Sequence, residues 1–345
     1  MALTIDGTSE VLAGLPTTFG FVPRHSLVLI STLHHTDRSA TVGPMNRADL
    51  GYVVADPGPA VDAFARQVGD LPVQNVLAAM IHPSTNPADD TDLPRRDTAD
   101  TITTMLNGHG FTDIDAIHVP GIAAGARWRS YQTPGRHGVL PDPVSTVFAA
   151  AAAAEGRIMA DRRHDLVTRF TPGPQPLRER LHHPIAAAIA DAGLDADQPA
   201  AALARLARAD AAIRTASEGT LPTGEATIVD LIASIATIPF FDALIAVDGD
   251  LHLGAEDLAM HLWRHACEPV ASRLATVIAL HAYQRGDGTT ARIALETADI
   301  QQPLPRLLLE MLDRCVPPTQ IRTPAQEMSH NTRRALRGAQ PTDKS

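Results

Sequence analysis

The sequence predicts an α/β N-terminal domain with a mixed sheet, residues 1–171, followed by an all-α C-terminal helical domain, residues 172–322. Three observations predict it. Short Val-, Ile- and Leu-rich runs alternate with amphipathic stretches through the first part of the chain. Beyond Pro143 those runs stop, and Ala-, Leu- and Ile-rich segments with helical spacing take over. Between the two regimes stands Pro172-Gly173-Pro174-Gln175-Pro176, the composition of a linker. At 345 residues the chain has enough material for two cores.

The elements follow in order. Ser26–Leu33 is a short β-branched apolar run, hence a buried strand; His34–Ser39 turns, and Ala40–Met45 returns as its antiparallel partner. Pro59–Val68 is helical, with Ala60, Phe64 and Val68 on one face. Val73–His82 is a second apolar strand, and the loop Pro83–Arg96 carries three prolines with Asp89, Asp90 and Asp92. A helix from Asp97 turns Ile102, Met105 and Leu106 inward and stops at Asn107-Gly108. Ile114–Val119 and Ala126–Tyr131 are two more strands joined around Pro120-Gly121, and hairpins among αβ alternations make the sheet mixed. An alanine-rich helix spans Pro143–Glu155. Further helices are predicted at Leu177–Ala192, Gln198–Ser217, Gly224–Ile238, Ala255–Cys267, Val270–Gln284, Thr289–Asp299 and Pro303–Cys315. Residues 323–345 are polar, carry Arg333, Arg334 and Arg337, and read as a disordered tail.

Composition excludes whole reaction classes. Of 29 basic residues only Lys344 is lysine, so a Walker-type phosphate loop, a kinase strand lysine and a pyridoxal Schiff base have no residue to use. Cys267 and Cys315 stand alone, which excludes a disulfide framework, an iron–sulfur cluster and a thiolate zinc cage. The net charge is -10, spread evenly over the chain, which argues against duplex nucleic acid as the main partner. Met1–Glu10 has neither the basic nor the apolar part of a signal peptide. The apolar stretches Val147–Ala154 and Ile228–Val247 are too short or too broken by Asp and Pro239 to span a membrane, so a soluble cytoplasmic protein is expected.

Candidate sites are few. With two tryptophans and three tyrosines in the chain, the segment holding Arg127, Trp128, Arg129, Tyr131, Arg136 and His137 stands out, and no acid interrupts it from Ala116 to Pro141. Strand alternation puts Arg127, Arg129 and Tyr131 on one face and Trp128 on the other, where arginine forks and a ring suit a phosphate, a carboxylate or an exposed base. The alternative reading is that Trp128 fills the core while the arginines pair with nearby acids. His261 and His265 have the i, i+4 spacing of metal ligands, with His252 and Glu256 as further candidates, but Leu262 replaces the glutamate that zincins require. Asp89, Asp90 and Asp92 follow a strand ending in His82, the end at which open α/β sheets bind ligands. Asp248-Gly249-Asp250 is too short for an EF-hand loop and reads as a turn. No Gly-x-Ser-x-Gly elbow occurs, His25 and Ser26 are strand neighbours pointing apart, and Gly108-His109-Gly110 ends a helix instead of opening one.

Several segments together resemble an actinobacterial family, domain of unknown function 4192. They are Leu15-Pro16 with Phe19-Gly20-Phe21-Val22-Pro23 and Ser26–Leu29; Arg47-Ala48-Asp49-Leu50; the turn around Trp128; Trp263; Ala282-Tyr283-Gln284-Arg285-Gly286-Asp287-Gly288; and Pro317-Pro318. The resemblance covers residues 8–322 and implies the two-part architecture without implying an activity. Where that family carries a cysteine-rich turn, this chain reads Gln132–Gly138, and where an Arg-Asp pair is common it has Phe241-Asp242. A metal or redox role resting on those cysteines therefore does not transfer. Ile278–Pro303 also resembles one tetratricopeptide-type hairpin, with Gly286-Asp287 at the turn, Ala291 and Ala298 at the helix contact and Pro303 at the end.

These readings lead to two functional expectations and a third in reserve. The first is a non-enzymatic interaction or regulatory protein acting through protein partners, without a cofactor. The second is a small-ligand receptor, or an enzyme acting on an anionic phosphate or carboxylate without lysine chemistry, using Arg47, Asp49, Arg127 and Arg136. Nucleic acid binding is the third.

Overall fold

A computed structural model describes residues 7–36, 39–69, 71–83, 93–154, 159–247, 251–314 and 316–337. The chain divides into two compact units, Met1–Arg163 (with Asp313–Cys315) and His164–Leu312 (with Val316–Ser345).

The first unit runs α1 (Thr8–Ala13), α2 (Leu15–Phe19), β1 (Ser26–Thr36), β2 (Ser39–Asp49), α3 (Leu50–Ala55), α4 (Gly58–Val68), β3 (Val73–Ile81), α5 (Arg96–Gly108), β4 (Ile114–Val119), β5 (Arg127–Ser130), β6 (His137–Val139) and α6 (Val147–Ala154). The sheet order is β2-β1-β3-β4-β5-β6, and among the described strands β3 and β4 form the parallel pair, with α5 as the crossover between them. The mixed sheet expected from the sequence is thus present. Leu27, Leu29, Ala78, Met80 and Ala116 pack against Val53, Phe64, Ile102 and Leu106 of α3, α4 and α5. On the other face Val28, Ile30, Ala79, Ile81 and Ile117 meet Leu12 and Leu15. Both faces are covered, which is why β3 and β4 read as continuous apolar runs instead of alternating ones. Trp128 lies with the second cluster and Tyr131 with the first, as alternation requires.

The second unit is helical: α7 (Arg163–Thr168), α8 (Gln175–Ala196), α9 (Pro199–Ser217), α10 (Glu225–Ala236), α11 (Ile238–Leu244), α12 (His252–Trp263), α13 (Val270–Arg285), α14 (Gly288–Glu296), α15 (Pro303–Asp313) and α16 (Pro318–Leu336). The division at 163/164 precedes the Pro-rich segment because the chain around α7 belongs here: Phe170 packs edge-on against Trp263 at 6.0 Å, and Arg169 pairs with Asp257 at 3.4 Å.

Three expectations are corrected. The helix expected at Gly224–Ile238 is α10 and ends two residues early, at Ala236; α11 follows from Ile238 after an 88° bend at Thr237, because Pro239 has no N–H to continue the first. In the α13–α14 hairpin Gly286 makes the turn at φ 90° and Ala291 is fully buried, yet α14 ends at Glu296 and Pro303 instead opens α15. The expected disordered tail is ordered through Leu336 as part of α16. Ile321, Ala325 and Ser329 are buried there, Ser329 donates to the Ala243 carbonyl at 2.7 Å, and Arg333 grips Asp210 with both terminal nitrogens at 2.8 Å. Residues 338–345 lie outside the described residues. No single helix among the described residues is long and apolar enough to cross a membrane.

Candidate functional site

Parallel strands β3 and β4 end side by side, and the chain leads into β1 at the same edge, since Ser26 pairs with Ile81 and Ile81 with Val119. A cavity of about 460 Å3 opens there, lined by Val22, Arg24, His25, His82, Pro120 and Ile122 among others. This is the carboxyl edge at which open α/β sheets bind ligands, because the connections diverge and leave backbone and side chains facing a gap.

The turn carrying Arg24 and His25 is held by the Arg47–Leu50 element. Arg47 Nε donates to Ser26 Oγ at 2.9 Å, and Ser26 Oγ donates to the Arg24 carbonyl at 2.8 Å. Asp49 caps α3 by accepting from the Gly51 N–H at 2.9 Å, and the Leu50 N–H donates to the His25 carbonyl at 2.8 Å. His25 sits at φ 46°, a left-handed conformation that costs a non-glycine residue about 1 kcal/mol or more. These bonds over-determine it.

Two buried histidines close the edge, His82 at 5% and His118 at 3% exposure, with ring centroids 4.7 Å apart. Their tautomers follow from their partners. His82 Nδ1 lies 3.1 Å from the Pro83 carbonyl and His118 Nε2 lies 3.0 Å from the His82 carbonyl. A carbonyl only accepts, so those two nitrogens carry the protons and each opposite nitrogen holds a lone pair. His82 Nε2 is buried without a partner. Both rings are held neutral. Burial lowers the His82 pKa, with Arg95 and His25 adding to the effect; burial takes His118 down to about 4, with His82 and Arg129 nearby.

Tyr131 meets His118 edge-on at 6.5 Å, donates its hydroxyl to the Pro94 carbonyl at 2.7 Å, and receives Arg96 Nη1 on its own carbonyl at 2.7 Å. The Tyr131 and Arg96 side chains thereby fix the segment that holds Arg95. Burial holds the Tyr131 phenol well above its ordinary value.

The residues singled out from the sequence separate into two groups. Arg47 and Asp49 are on β2 and brace the turn at the cavity. Arg127, Trp128 and Arg129 are on β5, with three strands between the groups, about 19 Å at normal strand spacing. Trp128 is a core residue whose indole N–H donates to Ser9 Oγ at 2.9 Å. Arg136 lies across its ring at 6.0 Å and places Nη2 2.8 Å from buried Asp115 Oδ2. That approach is too oblique for a hydrogen bond and leaves Oδ2 without one, so the pair is Coulombic. Burial raises the Asp115 pKa against the pull of Arg136. Arg127 is exposed at the same edge of the sheet. The Trp128 segment is therefore chiefly structural, and the residue sequence reasoning missed is His118. Its signal was a lone histidine inside an apolar strand, matched to His82 only once the strands are set in register.

Elsewhere, His261 Nε2 donates to the Pro222 carbonyl at 2.8 Å and His265 Nδ1 to the His261 carbonyl at 2.9 Å. His252 and Glu256 turn away from them, toward His281 at 3.1 Å and Arg285 at 2.7 Å. Among the described residues no group of three or more His, Cys, Asp or Glu could hold a metal ion. Asp89, Asp90, Asp92 and Asp248-Gly249-Asp250 lie outside the described residues.

No curated protein and no solved structure matches the chain. One family model does, described as "Domain of unknown function (DUF4192)", over residues 9–319. That span includes the Arg47–Leu50 clasp, both buried histidines and the Gly286-Asp287 turn, and the chain belongs to the DUF4192 family.

Proposed function

We propose that the first unit takes up a small anionic ligand, a phosphate or a carboxylate, at the carboxyl edge of β3 and β4, as a receptor or as an enzyme without lysine chemistry. The observation that carries this reading is the cavity itself, because its lining includes Arg24, His25 and His82 and, among the described residues, no carboxylate. Arg95 adds positive charge beside His82. An anion entering such a wall meets a guanidinium carried on a turn whose backbone is already held by Ser26 and Leu50. The evenly spread negative charge supports a soluble, cytoplasmic setting for this role.

Thermal-shift screening against phosphorylated metabolites, nucleotides and dicarboxylates tests it. A stabilising compound is expected to lose its effect in Arg24→Ala and keep it in Arg136→Ala, whose guanidinium serves Asp115 instead. A compound that stabilises both variants equally places the ligand elsewhere, and a screen without any stabiliser removes the reading.

A protein partner is the second reading, supported by α3. Tyr52 is 81% exposed and Val54 41% exposed, beside the edge strand β2. A partner using that face is lost from co-purification with Tyr52→Ser, and retention in full refutes it.

A further inference from the structure

Hydrocarbon makes up most of the wall of the cavity at the carboxyl edge of β3 and β4. Resting on the ligand reading above, we propose that the ligand is an amphipathic monocarboxylate, whose hydrocarbon body lies along Val22, Pro83, Pro120 and Ala123 while its one carboxylate meets Arg24. The argument starts from which lining residues have surface to give. Val22, Pro120 and Ala126 are half-buried and Pro83 and Ala123 are exposed, so each keeps hydrocarbon that a ligand covers. Arg24 and His25 are exposed on the same cavity. Buried lining residues such as Ile81 and His82 shape the wall and contribute little surface to a contact. Apolar surface accessible to a ligand and a guanidinium within one small space select a molecule with both characters.

Size and charge narrow the class. The cavity holds about 460 Å3, the liquid volume of about fifteen water molecules. Acetate or inorganic phosphate fills a small part of that and leaves the hydrocarbon wall wet. A body of several carbons displaces that water, which is where the gain from apolar contact arises. On the charge side, Arg24 is the one arginine or lysine among the described lining residues, and burial keeps His82 neutral. One guanidinium matches one carboxylate, two parallel N–H groups to two oxygens. A phosphate monoester brings a charge of about -1.5 to -2 and three acceptor oxygens, more than this wall neutralises.

The experiment titrates the full chain, 15N-labelled, with acetate, butyrate, hexanoate, hexanol and inorganic phosphate, and reads dissociation constants from amide shifts. Affinity is expected to rise about twofold to fourfold per methylene from acetate to hexanoate, the upper figure being full burial of a CH2. Hexanoate is expected to bind at least about tenfold more tightly than hexanol, because only the acid makes charge-assisted hydrogen bonds. Arg24→Gln brings hexanoate and hexanol within about twofold of each other and keeps the dependence on chain length. Val22→Thr, similar in shape but polar, weakens hexanoate about threefold and leaves acetate unchanged. Circular dichroism checks that both variants are folded. A flat series from acetate to hexanoate, or inorganic phosphate binding more tightly than hexanoate, overturns the monocarboxylate proposal and leaves the anion reading standing. Hexanol binding as tightly as hexanoate, affinities that both variants leave unchanged, or no binding of any probe at tens of millimolar overturns both.

Discussion

Replacing Arg285 by Met isolates the buried charge pair of the second unit. Glu256 is fully buried on α12, and its Oε2 accepts from Arg285 Nη2 at 2.7 Å; the same nitrogen donates to Asp287 at 3.2 Å. Glu256 Oε1 and Arg285 Nε and Nη1 are buried without partners, so the pair is under-satisfied and depends on its one good contact. Burial lifts Glu256 to about 7 against the pull of Arg285. Removing the guanidinium leaves a buried carboxylate unpaired, and breaking such pairs costs about 3–5 kcal/mol. The carboxyl can escape part of this by keeping its proton, which makes the cost depend on pH. Below about pH 7 both folded proteins hold Glu256 protonated and the difference is flat; above it only the variant retains the proton, and the cost grows by up to about 1.4 kcal/mol per unit. Urea unfolding followed by circular dichroism at pH 6, 7 and 8 measures this directly. A Glu256→Leu/Arg285→Met double variant should recover most of the loss, since matched apolar replacement of a buried pair is often neutral. A single-variant cost below about 1 kcal/mol at pH 8, or one independent of pH, would show that water reaches Glu256 and refute the argument.

The same carboxyl predicts the pH dependence of the wild type. Its folded pKa near 7 exceeds the ordinary 4.5, so its contribution is complete below pH 4.5 and is lost as pH rises to about 7. Glu256→Gln removes that slope in pH-resolved denaturation, and an unchanged slope assigns it to another group. Gly254 and Gly193 give opposite signs for one substitution. A Cβ at Gly254 meets the Ile213 carbonyl and the Ser217 nitrogen, both at 2.7 Å, so Gly254→Ala costs about 1–3 kcal/mol. Gly193 in α8 has open space, so Gly193→Ala gains about 0.5–1 kcal/mol in the same assay; equal effects would contradict the helix contact. Ser9→Ala strands the buried Trp128 indole N–H and is expected to cost about 1–2 kcal/mol, with no change in ligand response, because Trp128 is structural.

What could be read from the sequence divides along physical lines. β1, β3 and β4 are visible because both their faces are covered and their buried stretches, Leu27–Ile30, Val76–Ile81 and Ala116–Ile117, are apolar. β2 is readable only to Met45, because its continuation through Asn46, Arg47 and Asp49 is polar; yet it pairs with β1 to the last residue, since backbone bonds do not require apolar side chains. β6 is three residues at the sheet edge, without burial to mark it. α16 was hidden by its arginines. Arg333 looks solvent-facing in one dimension, and only the fold brings Asp210 to it across 123 positions. The cavity was half legible: His82 at a strand end raised the expectation of a site, but its partner His118 lies 36 positions away, and no local pattern encodes the register that joins them.

The acidic balance of the chain is compatible with the proposed anion site, and screening shows why. At physiological ionic strength exposed charges beyond about 8 Å are largely damped, whereas a group in a partly enclosed wall feels its neighbours at closer range and lower dielectric. A net charge of -10 therefore slows long-range approach of an anion without deciding what happens inside the cavity. There the lining supplies Arg24, His25 and His82, with Arg95 and His118 as neighbours of His82. A lysine in their place would offer a mobile ammonium that only donates. A neutral imidazole such as His82 both donates and accepts. The near absence of lysine thus excludes one chemistry and leaves room for another. In the proposed site arginine would supply the charge, and the Arg47–Leu50 clasp holds the backbone of the turn that carries Arg24 and His25.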